Sequence, residues 1–433
     1  MAELVYAHDL KSCGRKALSV RVRPRAPTFF LLHWGRVIKI TIIKIRSWQF
    51  AASKKMFLKL KRFFNNEILG IIFLFIAWRL ALFLVAYFAF FNLPSYPRTV
   101  FYNDLHPILS MWLPFDSGWY TAIADFGYKL NSQAPAFFPF WPIVIEGFKR
   151  IFSFCDTRVL GFILANLLTL SDCILLYKLA RFDLDDKSSF RSVKYLLFFP
   201  MSFFLATGYS EPLFLFVVLL SFYFFRLQKP LWASFSAIAA SATRLIGIIL
   251  IVPLFVEGLN LKNTKLKIQG IMIAFLAPLG IIVYSLYLGG LLNNRFAFLG
   301  AQTGWHRGIN LQGFQELFNQ IKTIFSFHLF LPEGAFITAL MGGGFFMLFI
   351  LAIAMSFKKI RISYILYALL VLLAPLFSGT MLSYSRMALV AFPFYIILAK
   401  WGKTKWVDDL ITIVFLTMLG LFTIMFTRGW WVA

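Results

Sequence analysis

The run EILGIIFLFIAWRLALFLVAYFAFFN, residues 67–92, is longer than the roughly 20 apolar residues that a helix needs to cross a bilayer core. It is followed by WLPFDSGWY, residues 112–120. The first stretch decides the class of fold, and the second carries the most informative residue of the chain, Asp116. Only 18 of 433 residues are acidic, so a carboxylate just past an apolar span asks for a reason. Comparable apolar runs recur to the C-terminus, and 60% of the chain is hydrophobic, against about half in an ordinary soluble domain. Lipid offers backbone groups no partner, so such runs must close their hydrogen bonds internally as helices. The expected fold is all-α and polytopic.

The formal charge of +25 would suit nucleic acid, but a cytoplasmic surface rich in Lys and Arg accounts for it without RNA or DNA. Fifteen of the 43 basic residues fall in residues 1–66 against two acids, Glu3 and Asp9, which marks a basic cytoplasmic N-terminal segment. Lys54 to Arg62 there could lie on anionic lipid, and Met56 reads as an alternative start. Residues 67–433 form the membrane domain. Cys13, Cys155 and Cys173 have no metal-ligand spacing.

With the N-terminus inside, the loop charges set the topology. A span at about 68–92 exits to an external loop at about 93–158, which holds Asp104, Asp116 and Asp125. Within that loop, Ala136 to Ile145 is apolar but punctuated by Pro135, Pro139 and Pro142, and reads as interfacial or re-entrant. Spans at about 160–179, 195–209 and 212–225 follow, placing Arg181 to Lys187 inside and Glu211 outside. The run Trp232 to Val256 carries Arg244 near its middle, where a charge costs roughly 3 kcal/mol. Two short helices meeting at Thr243-Arg244 bring that charge to the outer end. Further spans at about 268–289, 335–357, 362–377, 387–399 and 409–426, with a second external loop at about 290–330, complete the path. The expected number of membrane helices is about 9–13, some short or re-entrant. Arg428-Gly-Trp-Trp431 would anchor the outer interface.

This topology collects Asp116, Glu211, Arg244, Gln302, His306, Arg307 and Arg386 on one face. One carboxylate, several cations and a membrane suit sugar transfer from a lipid-phosphate donor. A carboxylate takes the proton of an acceptor hydroxyl while cations stabilise the departing phosphate. Asp116 is the first catalytic candidate. Glu211 is the second, although Ser210-Glu211-Pro212 also reads as a helix start. Arg244 and Arg386 are candidate phosphate ligands or residues reaching for headgroups. Trp112, Asp116 and Tyr120 recur every four residues and would share a helical face, with Pro114 starting the helix, and Trp119 adds a further ring to the substrate-binding set. Gln302, Trp305, His306 and Arg307 suit a lid or acceptor-binding loop, or a plain linker. No phosphate-binding glycine motif for nucleotides is present. No compact His and carboxylate constellation appears, and a divalent cation is left open. A transporter or flippase of lipid-linked sugars or other anions would use the same cations and need no base. A structural scaffold would need neither.

Several blocks in order resemble the PIG-V family of mannosyltransferases, in particular its shorter bacterial members, within the wider GT-C class. These are Phe115-Asp-Ser-Gly-Trp-Tyr120, Ala136-Phe-Phe-Pro-Phe-Trp-Pro142, Phe199 to Glu211, Thr243-Arg244 with Gly247, Gln302 to Arg307, and Tyr384-Ser385-Arg386 before Phe392-Pro393. The family usually has Trp where Phe115 stands, and Tyr384 to Met387 departs from its more usual Arg-Tyr pair. The resemblance implies inverting transfer of a sugar, classically mannose, from a polyprenyl- or dolichyl-phosphate donor on the non-cytoplasmic face. Asp116 falls on the base or acceptor-orienting position. The acceptor, a lipid or glycan, and the oligomeric state stay open. A bacterial inner membrane is the implied location.

Overall fold

A computed structural model describes residues 66–96, 104–326 and 335–432. The basic segment up to residue 65, with Lys54 to Arg62 and Met56, lies outside the described residues. The regular elements among the described residues are helical, apart from one isolated bridge between Asn310 and Ser378. The principal helices are α1 (Asn66–Asn92), α2 (Asp116–Phe126), α3 (Phe140–Ile151), α4 (Thr157–Ala180), α5 (Asp186–Phe198) and α6 (Glu211–Arg226). They continue as α7 (Pro230–Thr243), α8 (Ile251–Leu259), α9 (Thr264–Ala274), α10 (Leu279–Leu292) and α11 (Gln312–Phe325). The last are α12 (Phe345–Ser356), α13 (Ile362–Leu373), α14 (Tyr384–Ala388), α15 (Pro393–Trp401) and α16 (Lys405–Thr427). Five helical stretches among the described residues are long and apolar enough to cross a membrane: Asn66–Asn92, Thr157–Ala180, Thr264–Leu292, Phe336–Lys359 and Lys405–Thr427.

Helix α6 is the centre of the bundle. It packs on α4 and α7, and Leu215, Val218, Leu219 and Phe222 are completely buried along it. By contrast α1 leaves Phe73, Leu84 and Phe88 exposed, the pattern of a helix that faces lipid on one side.

Several expected spans are broken, each for a local reason. The span expected to run to 209 ends as a helix at Phe198, because Pro200 lacks an N–H and its ring disfavours helical backbone in the residue before it. One 3₁₀ turn, Ser202–Ala206, comes next, and a tight passage then leads into α6. The span expected at about 268–289 bends between α9 and α10 just before Leu279, at Pro278. The one expected at about 387–399 is divided into α14 and α15 by Phe392-Pro393. The expected break at Thr243-Arg244 is present: α7 stops at Thr243, Arg244 is extended (φ −152°, ψ 144°), and a 3₁₀ turn, Leu245–Leu250, leads into α8. A π-helical turn, Leu340–Gly344, precedes α12, where three consecutive glycines weaken the regular helix.

The loop charges sort to two ends of the bundle. Arg226 pairs with Asp183 (2.6 Å), Lys403 with Asp185 (2.9 Å), Lys194 with Asp408 (2.5 Å), and Arg191 donates to the Ala399 carbonyl (3.2 Å). These contacts tie the loops after α4, α6 and α15 into one basic end. Helix α6 runs from that end to Glu211 at the other, and a charged helix pole is best placed at each end.

Close backbone approach at one crossing requires glycine. A Cβ on Gly280 of α10 would lie 2.3 Å from the Ile238 carbonyl oxygen of α7 and 2.4 Å from Ser241 Oγ. Gly420 on α16 has open space around it. Gly280→Val is therefore expected to lower stability by about 1–3 kcal/mol, the usual cost of overpacking. Gly420→Ala should leave it unchanged or slightly raised. Thermal unfolding of the detergent-purified variants checks both.

Candidate active site

The end of the bundle opposite the basic loops holds a cavity of about 640 Å³. Its ionic lining is Asp116, Glu211, Arg244, Arg307 and Arg386. Segments that are distant in sequence deliver these side chains, and each has a visible reason to stop where it does.

Asp116 is the first residue of α2. The residue before it, Phe115, has a positive φ (φ 59°, ψ −119°), a conformation that costs a non-glycine residue about 1–3 kcal/mol. The Phe115 ring is held against Trp431 (5.0 Å) and Phe426 (6.0 Å), which supplies packing for the strained turn. The Asp116 N–H donates to Tyr209 Oη (3.3 Å), and the Tyr209 hydroxyl donates to the Pro114 carbonyl (3.0 Å). The turn is thus fixed from both sides. Because the helix begins only at Asp116, the expected helical face of Trp112, Asp116 and Tyr120 is shortened to the last two. The positive φ of Phe115 breaks the periodicity before Trp112.

Glu211 opens α6, with Pro212 at the following position, so its carboxylate meets the positive pole of that helix. The chain just before it is pinned. Trp141 donates to the Gly208 carbonyl (3.0 Å), and Ser210 Oγ lies 2.7 Å from Tyr120 Oη. Arg244 occupies the break after α7 and pairs with Glu211 Oε1, while also donating to Ser210 Oγ (3.3 Å). Arg386 on α14 donates to Asp116 Oδ2 (2.6 Å), and its Nε stands 3.2 Å from Glu211 Oε1. Rings of Phe204, Tyr209 and Trp431, with centroids 5.4–5.5 Å from its guanidinium carbon, surround this cation. The result is an alternating chain of charge: Asp116, Arg386, Glu211, Arg244.

Arg307 stands beside this chain without a carboxylate. It donates to the Leu382 carbonyl (3.1 Å), and its Nε is buried with no partner. Burial first, and then the charges of Arg386 and Arg244, push it down to about 10, which leaves it cationic at neutral pH. An unmet buried donor costs about 1–3 kcal/mol, more when it is charged, so an anion placed here gains that amount back. With three guanidinia to two carboxylates, the lining carries a net positive charge.

The two acids are not equivalent. The Asp116 side chain is 14% exposed and Glu211 only 2%, so Asp116 is the carboxylate that a substrate can touch. The remaining lining is apolar on one flank, with Leu245, Ile248, Leu299 and Phe377 partly open to the outside of the bundle.

The other sequence candidates divide. Tyr120, Gln302 and Trp305 line the cavity, and Gln302 is anchored by donating to the Ala136 carbonyl (3.2 Å). Trp119 stands one layer back, stacked on the cavity-lining Phe137 at 5.3 Å. Trp112 is buried under the Arg79 guanidinium (4.1 Å), and His306 is exposed in a left-handed turn; neither lines the cavity. Of the other loop acids, Asp104 pairs with Arg158 (2.7 Å) and Asp125 accepts from Thr157 (2.7 Å), away from the cavity. Trp431, expected as an interfacial anchor, also lines the cavity, and Trp430 is the more exposed of the two. Tyr209 escaped the sequence reading because nothing in an apolar run marks which hydroxyl will reach a distant turn.

Among the described residues, no group of three or more His, Cys, Asp or Glu side chains could hold a metal ion. At the cavity, Asp116 and Glu211 are each already held by a guanidinium, and no imidazole lines it.

No protein-family model matches the chain, and no curated protein does. Among solved structures, the chain is similar to the oligosaccharyltransferase of Archaeoglobus fulgidus. The form tethered with an acceptor peptide containing the NVT sequon matches with a TM-score of 0.44 and 10% identity, over 82% of this chain and 55% of that one. The apo form matches at 0.43 and 14% over the same shares. The complex with an inhibitory peptide and a dolichol-phosphate matches at 0.40 and 11%, again over 82% and 55%. The chain therefore spans about half the length of the structures it matches.

Removing Glu211 would leave two guanidinia facing one another without their shared carboxylate. Glu211→Ala is expected to destabilise the protein by about 3–5 kcal/mol, and combining it with Arg244→Met should recover part of that loss. Thermal unfolding of the single and double variants measures the coupling.

Proposed function

We propose that the protein is an inverting GT-C type glycosyltransferase that moves a sugar, mannose in the first instance, from a polyprenyl- or dolichyl-phosphate donor to a lipid or glycan acceptor. The observation that carries this reading is the cavity's division of labour. It has one reachable carboxylate, one guanidinium in excess over its carboxylates, and an apolar flank that opens outward.

Each part answers a requirement of the reaction. The lipid tail of the donor lies along Leu245, Ile248, Leu299 and Phe377, where burial of each CH₂ contributes about 0.8 kcal/mol. Its phosphate meets Arg307, whose Nε lacks a partner, and Arg244. The acceptor hydroxyl approaches Asp116 from the side of the sugar opposite the phosphate. Asp116 takes the hydroxyl proton as the acceptor oxygen bonds to the anomeric carbon. The bond from that carbon to the phosphate oxygen breaks, and its electron pair leaves on the lipid phosphate. One displacement inverts the anomeric centre. The proton on Asp116 then passes to solvent through the mouth of the cavity.

Arg386 and Glu211 act as positioning residues in this scheme. Arg386 holds the Asp116 carboxylate by one oxygen, Oδ2, and Glu211 holds both Arg386 and Arg244. A preorganised charge array of this kind needs little rearrangement as the leaving phosphate gains charge. By the excess of Lys and Arg at the opposite end, the cavity faces the non-cytoplasmic side, with the N-terminus cytoplasmic.

The test supplies radiolabelled polyprenyl-phosphate-mannose to the purified protein with membrane lipid extract and identifies the glycosylated product. The wild type should form one, and Asp116→Asn should lower transfer by about 10²–10⁴-fold while donor binding persists. Near-normal turnover in that variant would remove Asp116 as the base. Passage of intact donor across a vesicle membrane, with no new glycosidic bond, would indicate a transporter instead. In the same assay Arg307→Gln should weaken donor affinity by about tenfold or more, the loss of one charge-assisted contact.

A further inference from the structure

A second cavity of about 250 Å³ borders the first. Its polar lining comes from Glu316 and Gln320 of α11 and from Thr338, Thr380, Tyr384 and Ser385, with Trp431 as an aromatic wall shared with the first cavity. None of its lining residues is cationic.

We propose that this cavity receives a neutral, hydroxyl-rich headgroup of the acceptor, an inference that rests on the glycosyltransferase reading above. Four observations support it. First, two polar atoms in its wall are buried and without a partner: Gln320 Oε1 and the hydroxyl of Tyr384, a residue only 1% exposed. One is an acceptor, and the other both donates and accepts, which is the complement of a polyol. An apolar occupant would leave both unmet at a cost of about 1–3 kcal/mol each. Second, the carboxylate of Glu316 is engaged within the protein. Its Oε2 accepts from the Met381 N–H (2.6 Å) and the Thr380 hydroxyl (3.2 Å). A phosphate would meet this negative charge with no cation to offset it, so the anion is directed to the first cavity and a neutral group to the second.

Third, the local backbone is arranged around Gln320. The π-helical turn brings Gly342 so close that a Cβ there would lie 2.0 Å from Gln320 Oε1. The glycine leaves room for the amide to reach the cavity. Fourth, the two cavities meet at the reacting pair. Tyr384 and Ser385 line the second, while Ser383 and Arg386 line the first. The Trp431 ring between them lies 5.5 Å from the Arg386 guanidinium carbon. A hydroxyl extending past Trp431 from the second cavity would reach the Asp116–Arg386 pair at its Arg386 side.

The experiment is photolabelling of the full chain in phosphatidylcholine nanodiscs. One probe is octyl mannoside with a diazirine at the first carbon of the alkyl chain, and a second is a diazirine-bearing farnesyl phosphate. The glycoside should label residues of α11, the 338–345 segment, residues 380–385 or Trp431. Gln320→Leu, Tyr384→Phe and Gly342→Ala should each cut that labelling at least fivefold. Labelling by the phosphate probe should stay unchanged, which also verifies that each variant is folded. Glycoside label spread along lipid-facing helices, or insensitive to all three substitutions, would overturn the proposal. So would an octyl trimethylammonium diazirine that labels the same residues equally well. Because the readout is binding, it is separable from the transfer assay. Transfer without site-directed labelling sinks this subsite alone, and site-directed labelling without transfer from any prenyl-phosphate sugar sinks the enzymatic reading.

Discussion

A carboxylate held between two guanidinia, Glu211 between Arg244 and Arg386, is the constraint on which the rest of this structure depends. Desolvating such ions costs several kcal/mol each, and an apolar core of the same volume would often be as stable or more so. Its effect is to fix geometry. The shared carboxylate joins the start of α6, the break after α7 and the short helix α14, and through Arg386 it also fixes Asp116 at the start of α2. Four chain segments are brought to one point at this end of the bundle.

The same end of the molecule concentrates backbone strain. Phe115, His306 and Ser383 all have positive φ, and they directly precede Asp116, Arg307 and Tyr384. Each conformation costs about 1–3 kcal/mol and persists only where neighbours over-determine it. Here the neighbours are identifiable at Phe115: the Trp431 and Phe426 rings on one side and the Tyr209 hydroxyl on the other. Strain placed immediately before these three residues aims side chains that regular helices would direct elsewhere. The broken segments do the same work on a larger scale. Backbone at Arg244 and at the π-helical turn leaves the helical register where it borders a cavity, which is where a membrane domain tolerates irregular structure.

The helical class and the placement of the main apolar segments were legible in the sequence, because lipid allows long apolar runs few alternatives. The break at Arg244 was legible for the same reason: an arginine in mid-run is too costly to leave there. Asp116, Glu211, Arg244 and Arg386 could be picked out as charges bounding apolar sequence, and Arg307 as the end of a loop dense in polar and aromatic residues. Their pairing could not, since nothing in spacing says that residue 386 will bond residue 116. Helix ends were the weakest part of the reading. Pro200 and Pro393 cut expected spans short, and Pro278 interrupts the regular helix of one that is still long enough to cross, because hydropathy averages over a window in which one proline hardly registers. The second cavity left no trace at all. Glu316 and Gln320 lie on an amphipathic helix whose polar face reads as solvated surface, and only the fold turns part of that face inward.

In the proposed mechanism the Arg307 and Arg244 guanidinia hold a lipid phosphate while Asp116 faces the sugar it carries. The most direct measurement is an experimental structure of the Asp116→Asn protein bound to a polyprenyl-phosphate sugar. The expected result is a phosphate within hydrogen-bonding distance of Arg307 Nε and Arg244, the prenyl chain along Leu245 and Ile248, and the anomeric carbon turned toward residue 116. A donor whose phosphate sits at the basic end of the bundle, among Lys194, Lys403 and Arg226, would contradict it.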